Sequence, residues 1–90
     1  FVTPPLRFEG RQLKLNLAVD GGGFVRVGLL DQDGQVIEGR SVANCVPLTG
    51  DQLDATVTWK GGSDLGTTNP VRIRVQMRKA RIFAFRFSGT

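Results

Sequence analysis

Apolar and polar residues alternate along most of this chain. Over residues 11–19, Leu13, Leu15, Leu17 and Val19 fall on one face and Lys14, Asn16 and Ala18 on the other. A repeat of two is the spacing of a β-strand with one buried face. Residues 24–30 repeat it, with Val25, Val27 and Leu29 inward and Arg26 and Gly28 outward. Residues 54–60 do so through Ala55, Val57 and Trp59. Towards the C-terminus, Val71, Ile73, Val75 and Met77 oppose Arg72, Arg74, Gln76 and Arg78, and a last strand sets Phe83, Phe85 and Phe87 against Ala84 and Arg86. The expected core in this region is Val71, Ile73, Val75, Phe83, Phe85 and Phe87.

Turn residues separate these stretches. Pro4-Pro5 is excluded from a central strand and reads as an extended lead-in to a short strand over 6–9. Gly10-Arg11 turns the chain, and Asp20-Gly21-Gly22-Gly23 reads as a turn because clustered glycines tolerate positive φ. Asp33-Gly34 is a strong hairpin signal joining 24–30 to a strand over 35–38. Residues 39–50 are less regular, with Val42, Cys45, Val46 and Leu48 as the expected buried positions. A loop spans 61–70. No helical spacing of apolar residues persists for ten residues. Seven to eight short strands, at intervals of roughly 8–12 residues, predict an all-β fold: an antiparallel β-sandwich of the jelly-roll or lectin-like kind.

Composition narrows the function classes. The chain has 90 residues, 40% hydrophobic and 22% charged, which suits one globular domain over residues 1–90. No apolar run approaches the ~20 residues of a membrane-spanning helix, so no membrane partner is expected. No leader-like charged and apolar run opens the chain. It starts at Phe1 rather than Met, and the expectation is a fragment of a longer protein. One cysteine, no histidine and no tyrosine are present. This chain alone therefore builds no disulfide, thiolate metal cluster, catalytic triad or imidazole base. Neither a cofactor nor a metal is expected. The net charge is +4. All the cations beyond Asp64, namely Arg72, Arg74, Arg78, Lys79, Arg81 and Arg86, lack an acidic neighbour in sequence, so positive charge concentrates at the C-terminal end.

Candidate chemistry is sparse. Asp31-x-Asp33-Gly34 resembles the start of a calcium loop, but position 42 is Val where the closing glutamate would stand, and no helices flank it. A plain hairpin turn is the better reading. Asp20-Gly21-Gly22-Gly23 lacks the strand-to-helix setting of a phosphate cradle. The eight acidic residues sit in or beside predicted turns, strand ends and loops, with no pair marked as convergent. Trp59 has two readings. As a surface indole it would form a sugar-stacking platform, with Lys60, Ser63 and Asp64 supplying hydrogen bonds. Its register with Ala55 and Val57 favours the core. Arg72, Arg74, Arg78 and Arg86 form a basic outer face. Single-stranded nucleic acid needs exposed aromatics among the cations, and the alternation turns Phe83, Phe85 and Phe87 away from Arg86, which disfavours that partner. A neighbouring domain is the expected partner of the arginines.

Several stretches together carry a resemblance: Leu13-x-Leu15-Asn16-Leu17, Val25-Arg26-Val27, Leu29-Leu30-Asp31-x-Asp33-Gly34-x-x-Ile37-x-Gly39, Asn44-Cys45, Gly50-Asp51, Val57-Thr58-Trp59-Lys60-Gly61-Gly62-Ser63-Asp64 and Pro70-Val71-Arg72-x-Arg74-Val75-x-Met77-Arg78-x-Ala80-x-Ile82-Phe83-Ala84-Phe85. With them the chain resembles the C-terminal β-sandwich module of bacterial glycoside-hydrolase-like proteins, many of which carry a five-bladed propeller of the family 32 or sialidase-like kind. The Val-x-Trp-x-Gly-x-x-Asp and Val-Arg-x-Arg pairing is its most specific part. Asn44 stands where the family commonly has Asp, and Ile82-Phe83 where it has Leu-Tyr. The resemblance implies an exported module, extracellular or periplasmic, of jelly-roll or concanavalin-like shape. It also implies a non-catalytic accessory role, packing against and orienting the catalytic domain of a parent glycoside hydrolase. The alternative expectation is an autonomous carbohydrate-binding module using Trp59 and the 61–70 loop. Anion or nucleic-acid binding through the arginine face is a third.

Overall fold

A computed structural model describes residues 1–8, 10–63, 65 and 70–88. Three strands, β1 (Gln12–Leu30), β2 (Gln52–Thr56) and β3 (Arg72–Ser88), form one antiparallel sheet in the order β2-β1-β3. No helix occurs among the described residues. The all-β expectation holds. The count of seven to eight strands does not, because pairs of predicted strands are halves of one. Residues 11–19 and 24–30 both belong to β1, which is 19 residues long. The two expected C-terminal strands both belong to β3, which is 17 residues long.

The physical reason lies at two offsets in the β1–β3 ladder. Val19 pairs with Ala80 and Phe24 with Arg78, so Asp20 and the three glycines bulge out opposite the single residue Lys79. The glycines do not reverse the chain; both flanks of β1 stay on the same partner. Gly23 passes so close to the Arg78 carbonyl that a β-carbon would collide with it. Lys79 makes the matching corner in β3 with a φ of 50°, a left-handed conformation that is uncommon for a side-chain-bearing residue. The second offset is at Phe83. Asn16 pairs with Ala84 and Leu17 with Ile82, so Phe83 is an extra residue in β3.

Other expected elements are reduced rather than absent. The predicted strands over 6–9 and 35–38 make only the bridges Leu6 to Val71 and Leu30 to Val36. The hairpin at Asp33-Gly34 is present. Gln35 and Asp31 join main chains at 2.8 Å, and the Asp31 carboxylate accepts from the Asp33 and Gln35 N–H groups at 2.9 Å each.

The core lies on one face of the sheet. Leu13, Leu15, Leu17, Val19, Val25, Val27 and Leu29 of β1 are buried with Ile73 and Val75 of β3. Against them pack Cys45, Leu48, Ala55, Val57, Trp59 and Leu65. Burying each large apolar side chain contributes about 1.5–3 kcal/mol. Ala55 belongs to β2 of the same sheet, and the chain around Cys45 and Trp59 is held by single bridges rather than by a second sheet among the described residues. Five expected core positions are corrected. Val46, Phe83 and Phe85 are exposed, Val42 is half-buried, and Phe87 is half-buried, stacked on Phe8 with ring centroids 4.8 Å apart; Met77, expected on the apolar face, is exposed too. The Phe83 bulge changes the parity of β3. Ile82, rather than Phe83, is the residue that shares a face with Leu17.

Gly28, expected to face solvent, is buried because the chain around Ser41 and Val42 crosses above it. A β-carbon there would lie 2.8 Å from the Val42 nitrogen. Gly28→Ala is expected to cost about 1–3 kcal/mol through this overpacking. Gly21→Ala, which meets nothing within 4 Å, should stay within about 0.5 kcal/mol. Urea midpoints of the two variants check the contrast; equal effects would contradict the close approach.

Candidate functional site

β1 has two edges, and the one away from β3 explains where Trp59 goes. Val25 exchanges main-chain hydrogen bonds with Leu48 at 2.8 and 2.9 Å, and Leu29 bonds Arg40 and Ile37 at 2.8 and 3.0 Å. Val27, between them, has no partner strand. Its carbonyl accepts from the Trp59 indole Nε1 at 2.9 Å, and its N–H donates to the Cys45 sulfur at 3.3 Å. Two side chains thus complete the ladder. Trp59 is 2% exposed, and the Arg40 guanidinium sits 5.4 Å from its ring centroid. The core reading of Trp59 holds, and no indole face is open to a sugar ring.

The companions of Trp59 do not converge on a ligand. Lys60 is exposed, and its N–H donates to the Asn44 carbonyl at 3.0 Å. The Ser63 hydroxyl accepts from Gln12 Nε2 at 2.8 Å. Asp64 lies outside the described residues, as does most of the 61–70 loop.

The four arginines all lie on β3. Arg72, Arg74 and Arg78 pair with Leu30, Gly28 and Phe24 on β1 and alternate with the inward Ile73, Val75 and Met77. Arg72 Nε donates to the Gln32 carbonyl at 3.2 Å. Arg74 borders a shallow cleft with Phe1, Val42 and Gln76. Arg86 stands apart beside Lys14 and grips Asp54 with two hydrogen bonds of 2.8 and 3.2 Å. That exposed pair contributes about 0.2–1 kcal/mol. It supplies an acidic partner from a distant part of the sequence.

The main departure from the sequence reading is a set of exposed aromatics. Phe83 is 62% and Phe85 45% exposed. They line a surface groove with Phe1, Met77, Ile82 and Ala84. Arg78, Lys79 and Arg81, all exposed, belong to the same stretch of β3. The expected burial of Phe83 and Phe85 is therefore overturned, while Phe85 and Phe87 still alternate with Arg86 by register. Alternation tells which residues share a face but not whether that face is covered, and Cys45, Leu48 and Trp59 bond to β1 rather than to the distal half of β3. A run of Phe-x-Phe-x-Phe at the chain's end is the only signal that pointed here.

No catalytic constellation emerges among the described residues. Asp31 caps its hairpin, Asp51 accepts from the Val19 N–H at 3.3 Å, and Asp54 holds Arg86. No group of three His, Cys, Asp or Glu suited to a metal ion is found among them. Burial pushes the Cys45 thiol above its ordinary pKa, against opposing pulls from the Val27 N–H and the Arg26 charge.

Comparison with protein families, curated proteins and solved structures finds no match to this chain.

Two predictions follow from the Val27 site. Trp59→Phe keeps a ring but strands a buried carbonyl, so it should cost about 1–3 kcal/mol, and Trp59→Ala about 3–5 kcal/mol; urea unfolding measures both, and a neutral Trp59→Phe would show that the hydrogen bond is dispensable. For Cys45, the unfolded thiol ionises near pH 8.5 while the folded thiol stays protonated. Its contribution is intact below that pH and is lost as pH rises through the folded value. Unfolding midpoints taken from pH 7 to 10 should fall more steeply for the native chain than for Cys45→Ala; parallel curves would count against a buried, neutral thiol.

Proposed function

We propose that the chain is a non-catalytic accessory β-module of an exported carbohydrate-active enzyme, and that it packs against and orients the catalytic domain. On this reading it works outside the cytoplasm, and the sheet with its 45–65 layer belongs to a β-sandwich of jelly-roll or concanavalin-like shape. The resemblance of the Trp59 and Arg72 segments to such modules motivates the reading. One observation carries it further: although Ala80, Ile82 and Phe87 of β3 pack on the core, Met77, Phe83 and Phe85 lie at the surface in the same strand as the exposed Arg78, Lys79 and Arg81. Contiguous exposed apolar surface rimmed by charge is what a domain interface presents when its partner is away. The carbohydrate-binding alternative needed the indole of Trp59 at the surface, and no observation favours it.

The test compares the isolated chain with the full-length parent. Phe83→Ser with Phe85→Ser, or Arg72, Arg74 and Arg78 all changed to Ser, should shift the isolated chain's stability by less than about 1 kcal/mol, as exposed positions do. In the parent the same changes should lower the unfolding temperature of the catalytic domain or release the module to proteolysis. Equal destabilisation of both forms would refute docking through this face.

A further inference from the structure

Both neighbours of β1 carry an extra residue at the same height. On one side Leu15 pairs with Ala55 and Leu17 with Gln52, so β2 takes three steps where β1 takes two. On the other side Asn16 pairs with Ala84 and Leu17 with Ile82, which leaves Phe83 over. Each bulge bends its strand and interrupts the ladder, and bulges recur beside binding sites because they re-aim side chains. Here the two flank Asn16, and an open surface cavity of about 190 Å³ lies there, with Lys14, Asn16, Leu53, Asp54, Ala84 and Arg86 in its lining. That lining comes from all three strands and from neither chain end.

The polar groups of the cavity are held in place and only partly used. Lys14 and Arg86 are direct register partners. Side chains opposite each other on an antiparallel pair start about 5 Å apart, so like charges there repel. Among the described lining residues a single carboxylate offsets them: Asp54 accepts from Arg86 Nε at 3.2 Å and from Nη2 at 2.8 Å. This two-pronged grip fixes the guanidinium plane and leaves Nη1 to donate elsewhere. Lys14 Nζ gives one of its three protons to the Thr56 hydroxyl, at 3.0 Å. Asn16 is half-buried, and its side-chain amide has no hydrogen-bond partner among the described residues. Opposite it Ala84 presents only a methyl group, and Leu53, 84% exposed, adds apolar surface. The cavity thus combines one uncompensated positive charge, a free amide and a small apolar surface. Its volume suits one substituted six-membered ring, since a cavity of about 150 Å³ already takes benzene.

We propose that this cavity binds a single acidic sugar ring, a hexuronate. The inference goes beyond the docking reading and does not rest on it. The ligand carboxylate lies between Lys14 Nζ and Arg86 Nη1 and relieves the repulsion of that pair. The Asn16 amide, with both a donor and an acceptor, takes a pair of neighbouring ring hydroxyls. The C–H face of the ring rests on Leu53 and Ala84. A neutral sugar is disfavoured because it leaves the positive charge uncompensated, and a bare anion because it leaves the amide and the apolar surface unused. A dianion such as phosphate brings a second negative charge towards Asp54.

The test titrates the isotopically labelled 90-residue chain with methyl glucuronide, methyl glucoside, acetate and inorganic phosphate, followed by amide chemical shifts. The glucuronide should move the signals of residues 14–16, 53–54 and 84–86 and saturate with a Kd on the order of a millimolar, as fits a ligand of one ring. Glucoside, acetate and phosphate should each bind at least about tenfold more weakly. Lys14→Met should bring the glucuronide down to the level of the glucoside, and Asn16→Ala should weaken both sugars while leaving acetate unchanged. Acetate or phosphate binding as tightly as the glucuronide would overturn the sugar and leave a plain anion site. Equal binding of the glucoside would overturn the role of the charge pair. Shifts centred on other residues, or none that saturate, would overturn the site itself. The ligand comparisons use the native chain, so they decide the question even where a variant fails to fold.

Discussion

The hydrogen bonds that Trp59 and Cys45 make to Val27 complete the edge of β1 that faces away from β3. A buried main-chain amide left without partners costs about 1–3 kcal/mol per group, and Val27 sits mid-strand where β1 has no neighbour on one side. Filling that gap with an indole N–H and a thiol sulfur does three things at once. It completes the ladder between Leu48 and Arg40, buries the largest side chain in the molecule, and ties the 45–65 segment to β1 at a fixed height. The rest of the core, from Leu13 to Val75, is organised around the face that this contact closes.

That closure is asymmetric, and the asymmetry produces the surface of interest. Protection of the inward residues of β3 is graded: Ala80, Ile82 and Phe87 pack only partly on the core, and burial is fullest beside Val27 and Leu29. Val71, Ile73 and Val75 are therefore buried, whereas Met77 and Phe85, on the same face by register, are left at the surface. Exposed apolar residues beside exposed cations are the observation on which the proposed docking role rests. The carboxylates with described partners are committed to structure.

Much of the fold was legible in the sequence. The inward residues of β1, the register of Ala55, Val57 and Trp59, the Asp33-Gly34 hairpin and the absence of helix all follow from periodicity and turn chemistry. The failures share one cause. The triglycine reads as a turn and the C-terminal stretch as two strands, although a strand also passes through such breaks by bulging when its partner bends to match. Periodicity is local, and bulge and turn look alike to it. The same limit hid the site: Phe83 changes parity through one extra residue, and no local pattern tells that the segment meant to cover Phe85 lies elsewhere.

Sequence by itself determined the period-two strands, the absence of histidine and tyrosine, and the concentration of positive charge after Asp64. These are properties of single residues and of short-range spacing, and they survive any arrangement of the strands. Tertiary structure alone decided that Trp59 serves the main chain instead of a ligand, that Arg86 has a carboxylate partner 32 residues away in Asp54, and that Phe83 and Phe85 of β3 are exposed. Each depends on which distant segment covers which face, and that is settled by the competition among all segments for one core.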